Sequence, residues 1–300
     1  MEIHHRIIIS QHKKNSKRLI SLFKRLGIEY SILGNELASL IEYSFSEHDR
    51  NAKKLLAFAK RHDITIQSDL LYDEEEILSA EWVIAHSGES QYPQPEDGFG
   101  FIEITYNTED YCGRCGQGLK QERPFQLKHA FIKDNGDFFG LHWVFDEIFV
   151  RPEIQDLFDS SGVTDVNFLN VINHKTNEPF NNLFQLHIPV LKEKALDTEN
   201  LFTVTCKPQN EESFVKGMGH IKDKPGKPFC GRVKYHNPRT ELIKFEAGVL
   251  KNAPDIVKSQ EYYGSGAGAN RFVLMRNRVV RLMKEKGLRG LVFRRPVHLV

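Results

Sequence analysis

Tyr111-Cys112-Gly113-Arg114-Cys115-Gly116-Gln117-Gly118 sets two thiols at C-x-x-C spacing with a glycine directly after the second. A tight turn of this kind aims both sulfurs at one tetrahedral ion. The chain holds only two other cysteines, Cys206 and Cys230, so all four sulfurs can meet at one point. Three readings of the pair stand side by side: a metal site, a redox dithiol, or two unrelated buried thiols. The redox reading wants an amphipathic helix starting at the pair. Gly116 to Pro124, with its two glycines and terminal proline, is a poor helix. The expectation is therefore a structural Zn2+ ion held by Cys112, Cys115, Cys206 and Cys230, with His220 or His236 as substitutes for a distant thiolate. Without Cys206, three cysteines would leave a position open to water, which is the arrangement of catalytic zinc.

The surrounding composition is that of a globular protein. Three hundred residues, 40% hydrophobic and 27% charged with 21 phenylalanines, suffice for a sizeable aromatic core. A net charge of +1 gives no general reason to expect nucleic acid or a membrane as partner. The charge is uneven, however. Residues 271–300 carry nine Lys/Arg against one acid, Glu285, and Asp73-Glu74-Glu75-Glu76 forms an acidic run. The first ten residues hold an apolar run of only three, short of the roughly 7–15 of a signal peptide. No stretch approaches the ~20 apolar residues of a membrane span. Few cysteines, two of them in C-x-x-C, suit a reducing compartment, and the cytoplasm is the expected location.

Periodicity supplies the coarse organisation. Leu19, Leu22, Phe23 and Leu26 recur at helical spacing over Lys13 to Leu26, and Gly27 is placed to end that helix. Asn51 to Arg61 reads as a second helix, Ile7 to Ile9, Ile28 to Leu33 and Asp63 to Ser68 as strands, and the acidic run as the opening of a short helix. Ser87 to Gly100, rich in Gly, Ser and Pro, marks the expected boundary between an N-terminal α/β unit, residues 1–95, and a cysteine-containing α+β domain, residues 96–300. Phe99 to Tyr263 reads mainly as mixed or antiparallel β structure with short flanking helices. Expected strands include Phe99–Tyr106, Pro124–Lys128, Ala130–Lys133, Asn182–Leu191, Leu201–Cys206, Gly231–Tyr235 and Thr240–Phe245. Trp143–Val150 fits a short buried helix, with a strand nearly as good, and a long amphipathic helix is expected from Asn270 to Lys286 with Phe272, Met275, Val279 and Leu282 or Met283 on its buried stripe. A strand, Leu291 to Val297, closes the chain.

Other motifs carry less. Asp146 and Glu147 are embedded in an apolar run, where an exposed face or an arginine pair is the ordinary explanation. Gly264 to Gly268 before a helix resembles an anion cradle but lacks the Lys-Ser/Thr ending of a P-loop. No Ser/His/Asp, Cys/His or His-x-x-x-His spacing supports catalysis.

Cys112-Gly113-Arg114-Cys115-Gly116, followed much later by Lys227-Pro228-Phe229-Cys230-Gly231, resembles the bacterial double-CxxCG-motif proteins and the related immunity proteins of polymorphic toxin systems. The closing helix with Gly287 and Leu288-Arg289-Gly290-Leu291-Val292-Phe293 looks like the Gly-aliphatic-Phe ending of those families. The likeness covers about residues 99–300. It departs from the pattern at Lys227, which stands where the second motif has its first cysteine. The resemblance implies a bacterial, cytoplasmic, non-catalytic protein pinned by zinc that binds and neutralises a cognate protein toxin. Two rivals remain: a zinc-containing nucleic-acid-binding protein using the Cys turn and the basic C-terminal helix, and a zinc hydrolase with an open site of Cys112, Cys115 and Cys230.

Overall fold

The computed structural model describes residues 1–34, 39–88, 90–91, 100–128, 136–142, 144–208, 229–236, 239–264 and 268–300. Two compact units account for them, Met1–Asp73 with Arg239–Glu241, and Glu74–Pro238 with Leu242–Val300.

The first unit runs β1 (Glu2–Ser10), α1 (Lys14–Leu26), β2 (Ser31–Leu33), β3 (Leu40–Ser46), α2 (Ala52–Arg61) and β4 (Ile66–Leu71). Its sheet has the order β2-β3-β1-β4 with every neighbour antiparallel, the split β-α-β-β-α-β arrangement. Alternation along the strands puts Ile7, Ile9, Ile41 and Phe45 on one side. Leu19, Leu22 and Phe23 of α1 and Leu55 and Ala59 of α2 close over that side, so both helices cover the same face. Each such buried Leu or Phe contributes about 1.5–3 kcal/mol. The residues between them point the other way, where Arg6 pairs with Glu42. Gly27, at φ 66°, ends α1 as its position suggests.

The second unit begins with α3 (Glu74–Ser79), β5 (Trp82–Ser87), β6 (Ser90–Gln91), α4 (Phe101–Thr105), β7 (Tyr106–Asn107) and β8 (Lys120–Gln121). It continues through β9 (Gln126–Leu127), β10 (Phe138–Leu141), β11 (Val144–Val150), α5 (Pro152–Ser160), β12 (Asn167–Asn173) and β13 (Pro179–His187). It ends with β14 (Thr203–Thr205), β15 (Val233–Tyr235), β16 (Lys244–Phe245), α6 (Ala247–Leu250), β17 (Ile256–Tyr263), β18 (Asn270–Arg276), α7 (Asn277–Glu285), β19 (Leu291–Pro296) and β20 (His298–Leu299). Two six-stranded sheets dominate, β6-β10-β11-β13-β12-β9 and β14-β15-β17-β18-β5-β19. They are joined where Lys258 of β17 meets Glu147 of β11 at 2.6 Å, both buried. The mixed α+β, strand-rich class is as expected, with seven helices among the described residues.

Several expected elements differ. Asn270 to Arg276 is strand, and the helix after it spans only Asn277–Glu285. The reason is visible in the burial: Phe272, Val273, Leu274 and Met275 are buried consecutively, as in a strand covered on both faces. Phe272 and Met275 thus belong to β18, and two further strands close the chain. Trp143–Val150, which fits a helix or nearly as well a strand, is strand β11 in its described part, buried on both faces from Glu147 to Val150. Phe101–Thr105 is a short helix where a strand was expected, because Phe101, Ile102 and Thr105 are buried at helical spacing. Of Thr240–Phe245 only Lys244–Phe245 is strand. Ala130–Lys133 lies outside the described residues. The middle of the expected boundary, residues 92–99, does too; β5, just before it, pairs with β18 and β19 inside the second unit. No helix among the described residues is long and apolar enough to cross a membrane.

Candidate metal centre

Two short turns bring four sulfurs together. In the first, the Cys112 N–H donates to Gln117 O at 2.9 Å and the Gly116 N–H to Cys112 O at 2.7 Å, folding residues 112–117 into a loop. The second is built by a strand pair. β14 and β15 are antiparallel, with Thr205 opposite Val233, so Cys206 just after one strand lies beside Cys230-Gly231 just before the other. The Cys206 N–H donates to Arg232 O at 2.9 Å and the Gly231 N–H to Cys206 O at 3.1 Å. The glycine after each of Cys115 and Cys230 has a left-handed backbone, φ 78° at Gly116 and 72° at Gly231. That conformation explains why both motifs end in glycine.

The four Sγ atoms lie within 4.8 Å of one another. Cys112 Sγ is 3.8 Å from Cys206 Sγ, and Cys115 Sγ is 3.6 Å from Cys230 Sγ. Four sulfurs each about 2.3 Å from one tetrahedral ion stand about 3.8 Å apart. The spacing thus fits a metal ion, and is far from the ~2.05 Å of a disulfide. Cys112, Cys115 and Cys206 are buried with Val204, and Phe229 packs beside them.

Electrostatics favour a cation at the centre. Cys112 ionises far below the usual thiol range, at about 4, because the Cys115 thiol donates to its sulfur and the backbone N–H groups of Cys115 and Arg114 do the same. Cys115 is pushed up by that shared hydrogen bond and by burial. Burial raises Cys206 to about 11, against the help of the Cys230 N–H. Four thiolates at this spacing repel one another; a divalent ion removes the conflict. Positive side chains already surround them. Lys234, 1% exposed, donates to Cys115 O at 3.2 Å and Gly268 O at 2.8 Å. Arg232 donates to Asp110 O at 2.7 Å and Gln117 O at 3.2 Å, tying the strand after the second turn to the first turn. Arg114 stacks on Phe229 at 4.3 Å. Burial pulls the Lys234 ammonium down to about 8, while the cysteines pull it up.

All four expected ligands converge, then, and His236 does not join them. His236 packs its ring on Phe202 at 4.8 Å, and His220, like Lys227, lies outside the described residues. The remaining candidates have structural partners. Glu147 accepts from Lys258 and from Gln185 at 3.0 Å, and Asp146 accepts the Arg271 N–H at 3.1 Å. Gly264 precedes a strand, not a helix, so the anion cradle has no helix end to offer. The acidic run and the basic C-terminal helix answer each other: Glu74 pairs with Lys284, and Arg281 donates to Leu78 O. A cavity of about 460 Å³ lined by Asp165, Lys192, Glu193 and Asn252 includes none of the cysteines. Sequence reasoning missed Arg232 and Lys234. The one signal was a pair of cations set just after Cys230-Gly231, at the start of an otherwise apolar strand.

No protein-family model matches the chain, and no curated protein matches it in sequence.

Proposed function

We propose that the chain is a non-catalytic protein-binding protein whose second unit is pinned by a structural zinc ion on Cys112, Cys115, Cys206 and Cys230. One observation carries this reading: four sulfurs, spaced for tetrahedral coordination, form a closed set with no fifth donor among the described residues. Catalytic zinc keeps a position for water, and four thiolates fill every position. The clip joins the 112–117 loop to β14 and β15, fixing three chain segments at one point. The resemblance of the CxxCG elements supplies the partner: a cognate toxin, bound and neutralised in the bacterial cytoplasm.

Metal analysis of the purified chain tests the clip. One zinc per molecule is expected, with no thiol reactive until a chelator is added. Cys206→Ser is expected to lose the metal and several kcal/mol of stability in the second unit. Retained zinc with an unchanged thermal midpoint would show that Cys206 is not a ligand and reopen the catalytic reading. For the partner, the neighbouring reading frame is expressed in bacteria with and without this chain. Toxicity relieved by co-expression supports immunity, and relief that requires no complex between the two proteins overturns it.

A further inference from the structure

The first unit carries a surface that its own fold does not use. α1 and α2, with the residue before α1, hold Lys13, Lys14, Lys17, Arg18, Lys24, Arg25, Lys53, Lys54, Lys60 and Arg61, and all ten are exposed. Neither helix contains an acidic residue. None of the ten has an ion-pair partner among the described residues. The two helices form one layer over one side of the sheet, and they touch: Asn15 donates to His62 O at 2.7 Å and Arg18 to the His62 ring at 3.4 Å. The cations of α1 therefore continue into Lys60 and Arg61 at the end of α2.

Ordinary helix stability accounts for four of them only. Lys24, Arg25, Lys60 and Arg61 occupy last turns, where the helix dipole favours positive charge. Lys13, Lys14, Lys17, Lys53 and Lys54 sit at the opposite ends, where the same dipole disfavours it. A face of like charges held against both mutual repulsion and the dipole is suited to a polyanion. The character of the face says which kind. Seven of the ten are lysines, a residue depleted at protein–protein interfaces, and neither helix exposes a large apolar side chain to anchor a protein partner. It also exposes no aromatic platform on which single-stranded bases would stack. What remains is regularly spaced charge without stacking or apolar burial.

We propose that the helical layer of the first unit binds the phosphate backbone of double-stranded nucleic acid, without sequence preference. Each phosphate neutralised releases a counterion, so affinity falls steeply with salt. This surface is distinct from the C-terminal basic helix, whose cations are engaged within the second unit, and it does not depend on the identity of any protein partner.

The test is fluorescence anisotropy of the full chain with a labelled 20-base-pair DNA duplex, the matching RNA duplex and the single strand, from 50 to 200 mM salt. Duplex binding that weakens roughly 500-fold over that range, as about five neutralised phosphates would give, is expected. The triple variant Lys17→Gln, Lys53→Gln, Lys54→Gln should flatten the log–log salt slope by about 0.9 for each phosphate no longer neutralised. Neutralising Lys192, Lys207 and Lys251 of the second unit should leave the slope unchanged. Circular dichroism and a thermal midpoint confirm that the variants are folded. No duplex binding at 50 mM salt, tighter binding to the single strand, or a salt slope indifferent to the helix substitutions each overturns the proposal. Equal competition by polyglutamate of the same charge would assign the face to an acidic protein instead.

Discussion

Two parts of this chain are rich in lysine and arginine, and the fold treats them oppositely. In the C-terminal segment most of the cations have been given work. Arg276 stacks on Trp82 at 4.4 Å, reaches Glu81 at 3.1 Å and donates to Leu250 and Lys251 carbonyls. Arg278 donates to Asp255 and to Gly162 O at 2.7 Å, and Lys284 pairs with Glu74. In the first unit, ten exposed cations on two helices find one histidine ring between them. The same residue types thus serve as internal struts in one place and as an outward field in the other. A net charge near zero conceals both. The first arrangement should contribute to folding, and the second chiefly to association, at a small cost to the fold.

The largest expected effect lies on the strut side. Asp255, 4% exposed, receives Arg278 Nε at 2.8 Å, lies 3.7 Å from Arg276, and accepts the Thr164 N–H at 2.9 Å. Burial works against its ionisation, but Arg278 and Thr164 outweigh burial and hold its pKa below the ordinary carboxylate range. Asp255→Asn should cost about 3 kcal/mol by leaving two guanidinium groups without their common partner. Denaturant unfolding at neutral pH measures it. A depressed carboxylate contributes stability above its unfolded pKa and loses it as pH falls through the folded value, so the gap between wild type and Asp255→Asn should narrow below about pH 4. A cost below about 0.5 kcal/mol, the range of an ordinary surface substitution, would mean the C-terminal cations are as idle as those of the first unit.

The next effect comes from a histidine placed among the same cations. His86 of β5 titrates near 4, chiefly through burial and then through the charges of Arg294 and Arg295. A histidine whose folded pKa lies below its unfolded value of 6.5 must shed its proton to fold. Its contribution is complete above pH 6.5 and is lost as pH falls from 6.5 toward 4. For a partly accessible ring the loss is about 2 kcal/mol. His86→Gln should remove this part of the acid sensitivity while leaving stability at pH 8 within about 1 kcal/mol. An unchanged pH profile in the variant would show that the ring is not the sensitive group.

These effects mark what the sequence could disclose. The metal centre was legible because its evidence is local: C-x-x-C-Gly fixes one turn, and a chain with two further cysteines leaves little choice of partners. Even so, Lys227 obscured the second half, and Cys206 is explained only by β14 pairing with β15. The helices of the first unit were legible from Leu19, Leu22 and Phe23 in one and from Leu55, Leu56 and Phe58 in the other. Phe272-Val273-Leu274-Met275 was not, because a continuous apolar run suits a strand covered on both faces and a buried helix equally. β5 was missed for the same reason, its first four residues being buried in a row. Charge was the least legible of all. Nothing near Arg278 in sequence announces Asp255, and nothing in Asp73-Glu74-Glu75-Glu76 announces Lys284. Whether a cation is a strut or a surface depends on residues that only the folded chain brings near.

The smallest expected effect tests the other side and has the opposite sign. Lys14 and Lys53 lie in first turns that contain no acid, at the positive ends of α1 and α2. Lys14→Glu and Lys53→Glu should each raise stability by about 0.3–1 kcal/mol, since a carboxylate there meets the helix dipole favourably and relieves repulsion from neighbouring lysines. Arg278→Glu, also in a first turn, should instead destabilise, because it sets a negative charge against buried Asp255. Thermal midpoints of the three variants give the signs directly. If Lys14→Glu and Lys53→Glu prove destabilising, those lysines have folding partners and the contrast between the two regions fails. If they stabilise the chain yet weaken its hold on duplex DNA, the lysines persist at a cost to the fold for the sake of what they bind, as expected where function and stability draw on the same residues.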